Sequence, residues 1–278
     1  MSAIVRAEAG WPLRRRQMWQ VMRTELARTF SFWRSLWLLV LAFAPVAIIA
    51  AHVVHDGRCR LDQETLILAG IVQAYYVRFG IFFGCLWIFM RLVRGEVAER
   101  TLHYLFLAPV RREVLVVGKF LAGVAATVLV FGAGVLASFA LMYAHFPDGR
   151  DFVVNGPGLG HLQSYLLVTA LACVGYGAVF LALSLVFKNP MVPAVIVLVW
   201  EGINGVLPVW LKRVSVTFYL KPLFPVELPV EGITVLCTFV AEPVPAGLAV
   251  SWLLAFASLV VLFACWRMRR LEVSYSTD

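Results

Sequence analysis

Six times along this chain an apolar run reaches about twenty residues, the length of helix that the hydrocarbon core of a bilayer accommodates. The runs are Leu36–Val54, Leu66–Met90, Val114–Ala144, Leu162–Phe187, Met191–Trp210 and Ala246–Trp266. The second holds Arg78, the fifth holds Glu201, and the third is long enough to extend beyond the lipid. Backbone that crosses lipid must satisfy its own hydrogen bonds, so each run is expected to be helical. Composition excludes the alternatives. The chain is 62% hydrophobic and 14% charged, whereas a soluble domain has about 45–50% and 25%. Neither a water-soluble globular enzyme nor a disordered chain can carry that surface in 278 residues. The expected fold class is an all-α integral membrane protein, with residues 1–278 forming a single six-span transmembrane domain. The first run begins near Leu36 and lacks a small-residue cleavage site. It therefore reads as a retained anchor and not as a signal peptide.

The net charge of +8 speaks to orientation, because cytoplasmic loops concentrate Lys and Arg. Before the first run lie Arg6, Arg14, Arg15, Arg16, Arg23, Arg28 and Arg34. Arg91, Arg94, Arg100, Arg111, Arg112 and Lys119 surround the second-to-third connection. Lys188 and the trio Arg267, Arg269 and Arg270 complete the same side, giving it seventeen of the 24 basic residues. The other side has six: Arg58, Arg60, Arg150, Lys212, Arg213 and Lys221. Both termini are expected in the cytoplasm.

Residues 17–34 predict an amphipathic helix lying in the interface. Met18, Met22, Leu26, Phe30 and Trp33 recur at helical spacing, opposite Gln20, Arg23, Thr24, Arg28 and Ser31. The segment 91–113 is too charged at its start for lipid. Glu96 and Arg100 stand four apart in the favourable order for a helical pair. Pro109 ends that helix, because proline disfavours helix at the residue before it. Arg111 and Arg112 then flank re-entry into the membrane. On the other side, the loop Leu211–Pro245 contains the apolar run Ile233–Ala241, too short to span and suited to a re-entrant segment.

Arg78 and Glu201 are the intramembrane charges. Each lies 13 residues from a basic residue marking the inner boundary, Arg91 and Lys188, which is about 20 Å of helix. Either charge alone would cost roughly 2.5–3.5 kcal/mol in lipid. Opposite signs at equal depth predict a pair joining span two to span five, either as a fixed brace or as a gating pair lining a pathway. Gly80 and Gly84, four apart in span two, permit close helix approach and mark a helix interface.

Elsewhere the chemistry is thin. His52, His55, Asp56 and Cys59 sit close together in sequence, but a solvated loop explains them better than a metal site. The five cysteines include no CxxC, which argues against structural zinc. Cys59 and Cys237 are the two placed outside, where oxidation is permitted; whether they pair stays open. Gly118–Lys119 is followed by Phe120, and Glu113 stands where a phosphate-cradling loop requires Gly. The sequence thus shows no catalytic, cofactor-binding or metal set, and any ATP must be bound by another chain.

Residues 99–119 carry a resemblance. Glu99, Thr101 and Leu102, then Leu105, then Pro109, Val110 and Arg112, then Gly118 and Lys119 resemble the cytoplasmic stretch of the type-2 ABC exporter permeases. In that family the stretch reads roughly E-G-T-L, leucines, P-V-S-R, G-K. Arg100 and Arg111 depart from it, standing where glycine and serine are usual. The resemblance implies a permease dimer of identical or homologous chains in a bacterial cytoplasmic membrane. Each chain would dock on a cytoplasmic ABC ATP-binding subunit that holds ATP and Mg. It further implies that Glu96, Glu99, Arg100, Thr101, Leu102, Pro109, Arg111 and Arg112 contact that ATPase. Spans two and five would line the translocation route, where Tyr75, Tyr76, Phe79, Phe82, Phe83 and Trp200 lean towards a hydrophobic or amphipathic cargo. An ion- or proton-coupled carrier is the first alternative, and a non-transporting assembly subunit of the same layout is the second.

Overall fold

The computed structural model describes residues 11–30, 32–55, 61–95, 111–144, 146, 149–187, 189–204, 208–226, 228 and 244–270. Among them every regular element is helical. Helix α1 is Trp11–Thr29 and α2 is Phe32–His55. A long rod, α3, starts as Leu61–Gly70 and continues through π-helical Ile71–Gly80, α-helical Ile81–Met90 and π-helical Arg91–Gly95. Then follow α4 (Arg112–Ala144), the short α5 (Gly149–Val154), α6 (Gly158–Val186) and α7 (Met191–Gly202). Two short helices, α8 (Val209–Lys212) and α9 (Val216–Leu220), precede α10 (Ala246–Arg269).

Five helical stretches are long and apolar enough to cross a membrane: Leu36–His55, Gln63–Gly95, Arg112–Ala144, Gly158–Val186 and Ala246–Arg269. The expected fifth span, Met191–Trp210, is different. Its helix stops at Gly202 after 12 residues, about 18 Å against the roughly 30 Å of a hydrocarbon core. Turn residues follow at Ile203 and Asn204, and the next described helix begins at Val209. The N-terminal helix also differs from its expected 17–34 bounds. It begins at Trp11, ends at Thr29, and a new helix starts at Phe32. The run Ile233–Ala241 and the pair Cys59 and Cys237 lie outside the described residues.

Helix α6 is the hub, packing on α10, α4 and α3, while α1 and α2 both lie against α4. The interior is built from aromatic rings: Phe82 meets Phe180 edge-on at 4.9 Å and Tyr176 at 5.4 Å. The π-helical stretch of α3 has a specific use. Pro45 inside α2 has no N–H for the Leu41 carbonyl four residues back. The Tyr75 hydroxyl donates to that carbonyl at 3.0 Å. Tyr76 is next in sequence, and consecutive side chains of a regular helix diverge by about 100°. Its hydroxyl nevertheless also reaches α2, donating to the Ala42 carbonyl at 2.9 Å, and stands 2.9 Å from Ser138 Oγ on α4.

Gly80 and Gly84 face α4. A methyl on Gly84 would stand 2.4 Å from Cε2 of the Phe131 ring, and one on Gly80 would stand 3.2 Å from its Cε1. The two glycines form the seat of that buried ring. Gly84→Ala is expected to destabilise the protein by about 1–3 kcal/mol through overpacking. Gly70→Ala, with open space around it, should be neutral or slightly stabilising. Thermal unfolding in detergent distinguishes them, and equal behaviour of the two variants would mean that Phe131 is not tightly seated.

Candidate functional site

One end of the bundle gathers helix termini and basic residues. Lys119 on α4 is 3% exposed, and its Nζ lies 2.5 Å from the Glu25 carboxylate of α1. The same ammonium donates to the Leu92 carbonyl near the end of α3 at 2.9 Å. Gly118 makes the approach of α1 close enough. A methyl there would stand 2.9 Å from Val21 Cγ1 and 3.3 Å from the Met18 carbonyl. Glycine thus admits the helix and lysine grips it, so three elements meet at two adjacent residues.

The other contacts at this end are of the same kind. Arg112 Nη1 donates to the Arg269 carbonyl at 3.1 Å and to the Met268 carbonyl at 3.4 Å. A cation there complements the free carbonyls and the negative end of α10. Glu113 and Arg269 approach to 2.5 Å but are 40% and 61% exposed, so their attraction is screened and contributes little. Arg94 donates to the Phe187 carbonyl just past α6. Arg111 is exposed at the start of α4. Glu96, Glu99, Arg100, Thr101, Leu102 and Pro109, expected on the coupling segment, lie outside the described residues.

The second cluster is built around Glu201. It follows Met191 by ten residues on α7, about 15 Å of helix. The residue is 6% exposed, and its carboxyl collects four donors from one short stretch. Ser215 Oγ donates to Oε2 at 2.7 Å, the Val216 N–H to Oε1 at 2.9 Å, the Thr217 N–H to Oε2 at 3.3 Å, and the Thr217 hydroxyl also to Oε2. Ser215 is the N-cap of α9, its oxygen accepting from the Phe218 N–H. The first N–H groups of a helix have no partner within it, and here a side chain from another helix supplies acceptors. Because the Thr217 hydroxyl proton goes to Glu201, the Tyr176 hydroxyl, 3.2 Å from Thr217 Oγ1, is left as the donor to it. Val216 packs on Gly175 of α6, whose own neighbour is Leu253 of α10. Glu201 thus ties the end of α7 to a helix wedged between α6 and α10.

The expected direct pair of Arg78 and Glu201 gives way to this cap. Arg78 is exposed, and among the described residues it makes no ion pair with Glu201. Both charges lie within electrostatic reach of Tyr176. Lys221, at the end of α9, lies within reach of Arg78 and of Lys212. Of the aromatic set, Tyr76 and Phe82 are sealed in the core, whereas Phe79 and Phe83 face outward, 51% and 39% exposed, with their rings stacked.

Ser215, Thr217, Tyr176 and Glu25 were not among the residues that the sequence singled out. The only local signal was Ser215 as a cap ahead of a short apolar run. The others meet their partners across long sequence separations. A further buried acid is Glu64, fully buried with Oε1 3.1 Å from His52 Nε2.

A family model described as "ABC-2 family transporter protein" matches residues 32–203. The match begins with α2 and ends just past Glu201, covering more than half of the chain. No curated protein matches it.

Proposed function

We propose, because the chain belongs to the ABC-2 transporter family, that it is the transmembrane permease subunit of an ATP-driven exporter. The observation that carries this reading is the family match together with the gathered basic end. There α1 and the ends of α3, α4 and α10 are tied by Lys119, Glu25 and Arg112. That end is the cytoplasmic one by its Lys and Arg content. A separate ABC subunit binds ATP and Mg, and this chain performs no bond chemistry itself. The segment 91–113, which holds Arg111 and Arg112, is the contact with the ATPase. Nucleotide-driven closure shifts the permease only through contacts that differ in energy between its two states.

The six-span layout is retained in a broken form. Helices α6 and α10 both end at the basic end, so the chain between them has to return across the membrane before Ala246. Helix α7 and the short helices α8 and α9 make the described part of that return. Irregular backbone at membrane depth is tolerated where protein buries it, and the Glu201 carboxyl satisfies the first N–H groups of α9. Two such chains pair along α3 and α7, which turn Phe79, Phe83, Val195, Ile196 and Val199 outward. Their apolar lining suits a hydrophobic or amphipathic cargo. An ion- or proton-coupled carrier would need Glu201 as an open carboxylate in its pathway, yet four donors already occupy its oxygens.

The test is purification of tagged protein from native membranes in mild detergent. A chain carrying GxxxxGK[ST] should come with it. Glu99→Lys and Arg111→Glu should each lower its recovery by about tenfold or more, as charge reversals at a contact do. If no ATP-binding chain co-purifies, the permease reading fails. If one co-purifies but vesicles containing the complex transport nothing, the assembly-subunit alternative takes its place.

A further inference from the structure

The groove between α1 and α4 holds about 520 Å³ and is lined by Arg15, Arg16, Met18, Trp19, Met22 and Leu121. Arg15, Met18, Trp19 and Met22 follow one another at intervals of three, one and three residues, which places them on one stripe of the helix. The charge is confined to the N-terminal end of that stripe and the rest is apolar. Trp19 is 59% exposed and Leu121, from α4, is 36% exposed, so the groove opens to its surroundings.

We propose that this groove is a binding site for an anionic phospholipid of the inner leaflet, its phosphate held by Arg15 and Arg16 and an acyl chain lying along Met18, Trp19, Met22 and Leu121. The commitment to a lipid rests on the pairing of two chemistries in one groove. A phosphate alone would need no apolar floor, and an acyl chain alone would need no arginines. Arginine forks match phosphate geometry. An aromatic ring with a polar edge suits the headgroup level. The flexible thioethers of Met18 and Met22 adapt to a chain with no fixed shape. Placement in the inner leaflet rests on the orientation given in the proposed function, but not on coupling to an ATPase.

The test uses the full chain in detergent, delipidated and then offered phosphatidylglycerol or phosphatidylcholine, with retention read by native mass spectrometry. Wild type should retain phosphatidylglycerol over phosphatidylcholine by about tenfold or more. Arg15→Gln with Arg16→Gln should lower phosphatidylglycerol retention by roughly thirtyfold, the worth of two interfacial arginines, and leave phosphatidylcholine unchanged. Trp19→Ala should weaken retention of both lipids. Equal retention of the two lipids by wild type would overturn the proposal without recourse to any variant. So would undiminished phosphatidylglycerol binding in the double variant. If inorganic phosphate competes as well as the lipid does, the site is a bare anion site and the proposal fails. If the double variant releases an ATP-binding subunit but keeps its lipid, the groove belongs to that subunit instead.

Discussion

Replacing Glu201 by leucine is expected to detach α9 from α7 and to destabilise the protein by roughly 2–6 kcal/mol. The estimate comes from the donors left behind. The Val216 and Thr217 N–H groups cannot turn elsewhere, and each buried donor without a partner costs about 1–3 kcal/mol. The hydroxyls of Ser215 and Thr217 can rotate, so they are left out of the sum. Glu201→Gln should fall between. It keeps one oxygen, but its NH2 group must face donors where Oε1 or Oε2 now accepts. Hydrogen exchange reads the effect at the right place, because the Val216 and Thr217 amides should lose protection while the middle of α6 keeps it. If Glu201→Leu is as stable as wild type and those amides stay protected, the cap does not hold the break together.

Arg78 provides the contrast. It is exposed and takes no part in the hydrogen bonds to Glu201, so Arg78→Gln should cost far less stability. Should Arg78→Gln prove as damaging as Glu201→Gln, with the swap of the two charges restoring function, the direct pair would exist in another state of the transport cycle. The two residues share a depth, but that says only that they could meet. The hydrogen-bond geometry decides which partner the carboxyl has in this state.

Depth and hydropathy made most of the bundle readable in advance. Five runs of apolar residues become five long helices, because the cost of exposing backbone in lipid leaves a long apolar run few other options. The fifth run departs from an unbroken helix for a reason of the opposite kind. Met191–Trp210 is apolar enough to span, yet its helix ends at Gly202. A carboxyl near that end is satisfied by a helix start some fifteen residues further on. Such a partner is set by the packing of α9 against α6 and α10, and window hydropathy carries no trace of it. The bounds of α1 shifted for a related reason. The apolar stripe continues on paper to Trp33, but the chain breaks after Thr29 and turns into α2. At the basic end the Gly118–Lys119 motif could be found from its spacing, while its partner Glu25, 94 residues away, could not.

Lys119→Met should be the most damaging single change at the basic end, by about 3–5 kcal/mol. It removes one member of a buried pair and leaves the other charge uncompensated. It also orphans the Leu92 carbonyl, which accepts from the same ammonium. Glu25→Leu should also destabilise the protein, by removing the carboxylate that the ammonium holds at 2.5 Å. The double variant, with methionine and leucine filling the volume of the pair, should recover much of the loss, since apolar replacement of a buried ion pair is often neutral or stabilising. A double-mutant cycle on detergent stability measures this directly. Additive losses would mean that the pair is not a unit. Function then separates a brace from a transmitter. If Lys119 only holds α1 against α4, the double variant should regain transport along with stability. If, on the proposed function, the link between α1, Leu92 and α4 transmits the state of the ATPase, the double variant should be stable, bind the ATP-binding subunit and support that subunit's ATP hydrolysis with little transport. The second outcome is the expected one. The ammonium spans two elements at once, and an apolar pair can refill the space between α1 and α4 but cannot donate to the end of α3.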